Sequence, residues 1–264
     1  MTILRRAFCK MRAAFTFLCA LPLLATAPAG EAIASQASSM VPLSGDFDLF
    51  VGGAKAAELR IEGSISDGRY RAAAKITTAG VVGTFYTASI DARVEGSVAG
   101  GAPGAAELSP ERFNSVSLNP RKDRRVEMRY AAGAPTVLAE PAYSEKPWQL
   151  EPGEQRGLLD PVTALMAGLS PGPRQALCDR HIDIFDARRH YAVTLKPAGE
   201  PDAKGEIVCE AEYRRVAGYK PKMLAKPPFP FTAVFRQRPD GLWAVERVMG
   251  DTPIGTAVLR RRKG

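Results

Sequence analysis

A mainly β chain, built as a single strongly curved antiparallel sheet or open barrel with one helix at about 160–170, is the fold class this sequence predicts. Three observations predict it. Short runs of residues alternate between apolar and polar, turn pairs containing Gly or Asp separate those runs, and one segment alone carries helix-opening chemistry.

The alternation starts at Ser44. Phe47, Leu49 and Val51 alternate with Asp46, Asp48 and Phe50, then Ala57, Leu59 and Ile61 with Glu58, Arg60 and Glu62, and Gly52-Gly53 is the turn between them. Asp67-Gly68 is a hairpin signal between Ile61–Ile65 and Tyr70–Ile76, and the same rhythm over Thr84–Val94 extends the meander. After a break at 100–104 come Arg112–Leu118, Arg124–Tyr130 and Thr136–Leu138. A Pro-rich connection and a helix, at about 140–174, separate this half from the next. Pro141, Pro147 and Pro152 exclude a central strand there, so that stretch is expected to wrap the surface.

Asp160-Pro161 opens the helix: an N-cap acceptor precedes a residue whose missing N–H costs nothing at the first position. Val162, Leu165, Met166 and Leu169 form its apolar face, and Ser170-Pro171-Gly172-Pro173 stops it. Strands then resume at Cys178–Phe185, Tyr191–Lys196, Glu206–Val216, Phe231–Arg238, Trp243–Met249 and Thr256–Leu259, with Asp240-Gly241 a further hairpin turn. In the third of these, Ile207, Cys209, Ala211 and Tyr213 face inward while Glu206, Glu210 and Glu212 face water. Ten or more strands with one helix fit one domain over 35–264, with no short repeat.

The first 34 residues read as a secretory signal peptide. Arg5, Arg6, Lys10 and Arg12 precede an uncharged stretch from Ala13 to Gly30, and Ala32 and Ala34 offer small side chains for cleavage before Ser35. A retained anchor is the alternative, but Pro22, Pro28 and the small-residue end argue for removal. Residues 4–10, L-R-R-A-F-C-K, are similar to a twin-arginine signal, with the general secretory route as the other choice. Phe17 and Leu18 before Cys19 argue against a lipid anchor.

The leader accounts for +3 of the formal +8, and Arg260, Arg261, Arg262 and Lys263 for four more, so the body between carries only +1. That balance excludes the basic footprint of a nucleic-acid-binding domain. The tail reads as a solvated end, with peripheral contact to an anionic membrane as its functional alternative. Cys9 and Cys19 leave with the signal. Cys178 and Cys209 remain, and in an oxidising compartment an even pair is a disulfide.

No constellation points to catalysis, a cofactor or a metal. His181 and His190, with Asp179 and Asp183 nearby, flank a hairpin, but a same-face register separates the two rings by about four residues, roughly 13 Å at ~3.3 Å per residue. One ion needs both at ~2 Å. Asp46/Asp48 and Glu210/Glu212 each share a strand face at ~7 Å, a spacing that glycoside hydrolysis uses, yet such pairs are ordinarily the wet side of a half-buried sheet. G-x-S-x-G, P-loop, G-x-G-x-x-G and H-E-x-x-H motifs are absent.

Asp160, Pro161, Ala164 and Leu165, then Cys178, then Phe185, Asp186, Arg188, Arg189 and Tyr191, then Cys209, Tyr213 and Gly218 follow one another in an order that resembles the exported bacterial family catalogued as domain of unknown function 3108. The family pattern has Gly after the turn Asp, where this chain has Ala187, which puts the turn type in doubt if φ is positive there. The resemblance implies a periplasmic β-rich protein with no assigned activity and no catalytic residues. By looser fold-level analogy it is similar to lipoprotein carriers, whose concave face receives acyl chains or a partner segment.

The expected function is therefore a periplasmic cell-envelope protein, not an enzyme, holding a lipid-like ligand or an envelope protein on a concave apolar sheet face partly covered by the helix. A glycan hydrolase using exposed carboxylates and a scaffold with docking edges are the alternatives. No cofactor and no nucleic acid are expected.

Overall fold

The computed structural model describes residues 41–99, 107–199 and 205–262. The expected leader lies outside them, as does Lys263.

The first half of the chain forms β1 (Gly45–Val51), β2 (Ala54–Ser66), β3 (Arg69–Thr78), α1 (Gly80–Phe85), β4 (Ser89–Ala99), β5 (Glu107–Leu118), β6 (Arg124–Ala131) and β7 (Ala134–Glu140). The second half holds α2 (Pro161–Leu169), β8 (Arg180–Phe185), β9 (His190–Pro197), β10 (Ile207–Ala217), α3 (Pro221–Leu224), β11 (Phe229–Gln237), β12 (Trp243–Thr252) and β13 (Gly255–Arg261). All thirteen strands join one antiparallel sheet in the order β7-β6-β5-β4-β3-β2-β1-β13-β12-β11-β10-β9-β8, and it does not close. Each half is a meander. The first and last strands meet in the middle, with Leu49 opposite Leu259, and the two edges are β7 and β8, neighbours in the chain.

Period-two alternation decides which face is inside. Phe47, Ile61, Tyr70, Met128, Phe185 and Phe235 are fully buried from strands spread across the whole sheet, and all six belong to one continuous cluster with Val162, Met166 and Leu177. Strands near both edges thus share one interior, which requires the sheet to curl. Each such side chain contributes roughly 1.5–3 kcal/mol by leaving water.

The helix is more enclosed than a one-faced amphipathic segment. Val162, Thr163, Ala164, Met166 and Gly168 are all buried, because β8 lies on one side and β3, β4 and β5 on another. Ala164 packs with Ile182 and Ile184, and a Cβ on Gly168 would sit 3.3 Å from the Ile182 side chain.

The Pro-rich stretch does not simply wrap the surface; it fills the seam between the two edges. Leu159 hydrogen-bonds β8 through Asp183 and Phe185, at 3.0 and 2.9 Å, while Gly157 N–H donates to Gly133 at the β6–β7 turn. Tyr143 lies between the guanidinium groups of Arg124 and Arg188, which approach its ring centroid to 4.1 and 4.6 Å. Prolines serve here because a seam filler has no ladder to complete on both sides.

Several sequence expectations change. The run Thr84–Val94 begins as helix α1 and becomes strand only at Ser89, so the chain has more than one helix. Gly80 (φ +58°) starts the excursion, and the Thr78 hydroxyl, bonded at the Tyr86 and Ala88 backbone, closes it. Strand β8 starts at Arg180 rather than Cys178, since Asp179 at φ +74° turns the chain off the ladder. β5 reaches back to Glu107, accommodating Pro110 beside a register shift at Glu95/Gly96. Glu206 does not face water; it is 1% exposed. Nor does the basic tail dangle. Arg261 stacks on Phe47 at 4.8 Å and donates to the Ser44 and Val245 carbonyls, and Arg262 pairs with Asp48 and Glu58 at 2.6 and 2.8 Å.

Candidate binding surface

The concave face is occupied by the chain itself. At its N-terminus α2 is held by Asp160, fully buried, which accepts from the backbone N–H of Val162 and Thr163 at 2.9 and 3.1 Å and from the Thr163 hydroxyl. That donation leaves Thr163 Oγ1 to accept from the Tyr70 hydroxyl on β3, 2.7 Å away. Burial pushes the Asp160 carboxyl up to about 6, against the pull of these hydrogen bonds. At the other end Arg180 donates to the carbonyls of Ala167 and Ala176, where a cation meets the negative end of the helix. Burial lowers its pKa to about 10.

The disulfide Cys178–Cys209 is formed, with Cα atoms 5.5 Å apart. It does not join adjacent strands. Cys209 on β10 is opposite Pro197 of β9, and Asp179 N–H donates to Leu195 of the same strand, so the bond passes over β9 on the core side. Both cysteines are buried.

The two histidines come together through a carboxylate. His181 Nε2 and His190 Nε2 approach the two oxygens of Asp183 at 3.1 and 2.7 Å, and His181 Nδ1 contacts Thr194 Oγ1 at 3.0 Å. The four-residue offset expected for their hairpin is present, His181 facing Thr194 while His190 faces Phe185, and Asp183 spans it. Among the described residues no group of three His, Cys, Asp or Glu is placed to hold a metal ion.

Glu210 and Glu212 line an open cleft of about 570 Å³ across β9 to β13. Their cross-strand neighbours are Lys196 and Thr232 for Glu210, Thr194 and Pro230 for Glu212. Asp46 and Asp48 are instead consumed by ion pairs, with Arg60 at 2.7 Å and with Lys55 and Arg262. Glu206, which strand alternation missed, holds Arg236 and Arg247, each at 2.6 Å, and those hydrogen bonds lower its carboxyl to about 2. Two arginines on the neighbouring strands β11 and β12 were the available signal.

Of the residues that carried the family resemblance, Phe185, Asp186, Arg188, Arg189, Tyr191, Tyr213 and Gly218 gather at the β8–β9 hairpin, whereas Asp160, Pro161, Ala164 and Leu165 belong to α2 and its cap, and Cys178 and Cys209 lie at the other end of these strands. Asp186 accepts from the N–H of Arg188 and Arg189 at 3.0 and 2.8 Å, and Ala187 takes φ +74°, so the turn does need the left-handed region. Gly218 runs against this turn. A Cβ there would lie 2.4 Å from the Arg188 carbonyl oxygen, which admits only glycine. Tyr213 and Tyr219 share a hydroxyl hydrogen bond at 2.6 Å, and the Tyr191 ring lies 5.1 Å from that of Tyr213.

What the sheet leaves unpartnered is concentrated at one end. Antiparallel pairing sends alternate connections to opposite ends. The ten large hydrophobic side chains exposed among the described residues all lie either on the connections of, or within three residues of a strand terminus at, the end that carries the β1–β2, β3–β4, β5–β6, β8–β9, β10–β11 and β12–β13 connections. The most exposed are Phe85 at 85%, Ile254 at 79% and Val81 at 64%.

No protein-family model matches the chain, and no curated protein matches it. Among solved structures, the chain is similar to one titled as the crystal structure of a β-barrel-like protein of domain of unknown function DUF1849 from Brucella abortus. The two are 13% identical, with a TM-score of 0.47, over 86% of this chain and 98% of the other.

Proposed function

We propose that this chain is an exported, non-enzymatic protein of the cell envelope, of the kind the likeness to the 3108 family implies, and that it works by docking through the apolar end of its sheet. The observation that carries the reading is the pairing of a filled interior with that exposed end. A carrier needs a vacant concave face, whereas Val162, Met166 and Leu177 occupy this one. A folded chain that leaves Phe85, Val81 and Ile254 in water forfeits burial it had the residues to achieve, and clustered exposure of this kind marks an interaction site. The Cys178–Cys209 bond supports an oxidising compartment.

Chemical crosslinking in intact envelopes tests the reading. The wild-type chain should give a defined adduct that Phe85→Glu/Ile254→Glu loses at unchanged protein level and thermal midpoint. An adduct indifferent to both substitutions would contradict it, as would one lipid per chain that native mass spectrometry releases only on unfolding.

A further inference from the structure

The end of the sheet that exposes apolar side chains is also its basic end. Its six inter-strand connections (52–53, 79–88, 119–123, 186–189, 218–228 and 253–254) contain seven Lys and Arg against two Asp. Among the described residues the connections at the opposite end reverse the balance, with Arg238 against Asp67, Glu206 and Asp240. The charges are arranged around the apolar residues. Lys220, Lys222 and Lys226 are exposed on the connection that carries Leu224, and Arg121 and Lys122, also exposed, lie three and four residues after Leu118.

The apolar residues adjoin one another across strands. Ala79 N–H donates to the Ala56 carbonyl, and Gly80 lies against Lys55, which seats α1 on the start of β2. The neighbouring Gly52 sits against the Ile254 carbonyl, so the α1 residues and the β12–β13 turn flank the β1–β2 turn. On the other side Leu118 is opposite Ser89, beside Ile90.

Apolar tips flanked along the sheet on both sides by lysine and arginine have a specific complement: a surface with negative headgroups outside and hydrocarbon beneath. We infer that this end of the sheet is a membrane-surface site that takes an anionic phospholipid bilayer, with Val81, Phe85 and Ile254 entering the headgroup boundary while the lysines of 218–228 meet the headgroups. This inference rests on the docking reading above and names its partner. A protein partner would need acidic side chains set around an apolar patch, and is the alternative the experiment separates. The C-terminal arginines are not the contact: β13 carries them toward the opposite end, where Arg262 is engaged by Asp48 and Glu58.

The test is cosedimentation of the processed, disulfide-bonded chain with vesicles of phosphatidylcholine alone or with about 30 mol% phosphatidylglycerol, whose negative surface potential attracts basic segments. Binding should require phosphatidylglycerol and weaken as salt rises. It should fall at least tenfold in Lys220→Glu/Lys222→Glu/Lys226→Glu and, separately, in Phe85→Ser/Ile254→Ser, with Arg238→Ser at the far end binding as wild type. These side chains are exposed, and an unchanged thermal midpoint verifies the fold. No binding to the anionic vesicles, or binding that either variant leaves intact, overturns the inference. If vesicles are ignored while the envelope adduct still depends on Phe85 and Ile254, the docking reading stands and its partner is a protein. If both fail, both are wrong.

Discussion

Asp160 is the residue on which the closed interior most depends, because its carboxylate is fully buried and still caps the helix. With its pKa raised from 3.8 to about 6, the folded state holds a proton that the unfolded chain has released, so this group makes stability fall as pH rises from about 4 to about 6 and leaves it flat above. The difference is on the order of 3 kcal/mol. Asp160→Asn keeps an N-cap acceptor and removes the titration. Urea midpoints should therefore decline between pH 4 and 6.5 in the wild type and lose most of that decline in the variant; parallel slopes would show that Asp160 is not held as described. Glu206 acts in a different window and with the opposite sign. Its lowered carboxyl gives stability that is complete above about 4.5 and lost as pH falls toward about 2. Alternation placed Glu206 on the solvent side because a period of two cannot see that Arg236 and Arg247 reach it from β11 and β12.

Among the elements, those set by local chemistry were legible from the sequence. Asp160-Pro161 opens α2, and the turns at Gly52-Gly53, Asp67-Gly68 and Asp240-Gly241 join the strands they were expected to join. Elements set by distant partners were not. The run Thr84–Val94 reads as strand, but Thr84 and Phe85 end helix α1, which Gly80 and Thr78 turn aside before the ladder resumes at Ser89. The seam stretch 141–159 owes its course to edges that meet only once the sheet has curled. The Cys178–Cys209 bond was legible as a pair and not as a bridge over β9. Closing a loop of sequence separation 31, it should stabilise by roughly 3.5–4 kcal/mol in the chain-entropy account. Replacing both cysteines with Ala should lower the denaturant midpoint by a matching amount and leave vesicle binding intact, since the bond lies on the core side. Loss of binding in a variant that remains folded would place the cysteines in the recognition surface.

At the scale of the whole molecule, the order of the sheet divides the connections into two sets with opposite character, one apolar and basic, the other acidic. The alternation of turns along a meander was readable from the sequence, but the exposure of Phe85 was not while its segment read as strand. The central claim is that the interior is sealed by α2 and that recognition takes place at the basic end. Hydrogen exchange of the oxidised chain, with and without envelope membranes, tests this most directly. Added membranes should slow exchange in 79–88, 218–228 and 253–254 and leave the α2 amides of 161–169 as slow as before. Faster exchange in α2 on binding, with the turns unchanged, would mean that the helix is a removable plug over a ligand site, and would contradict the claim.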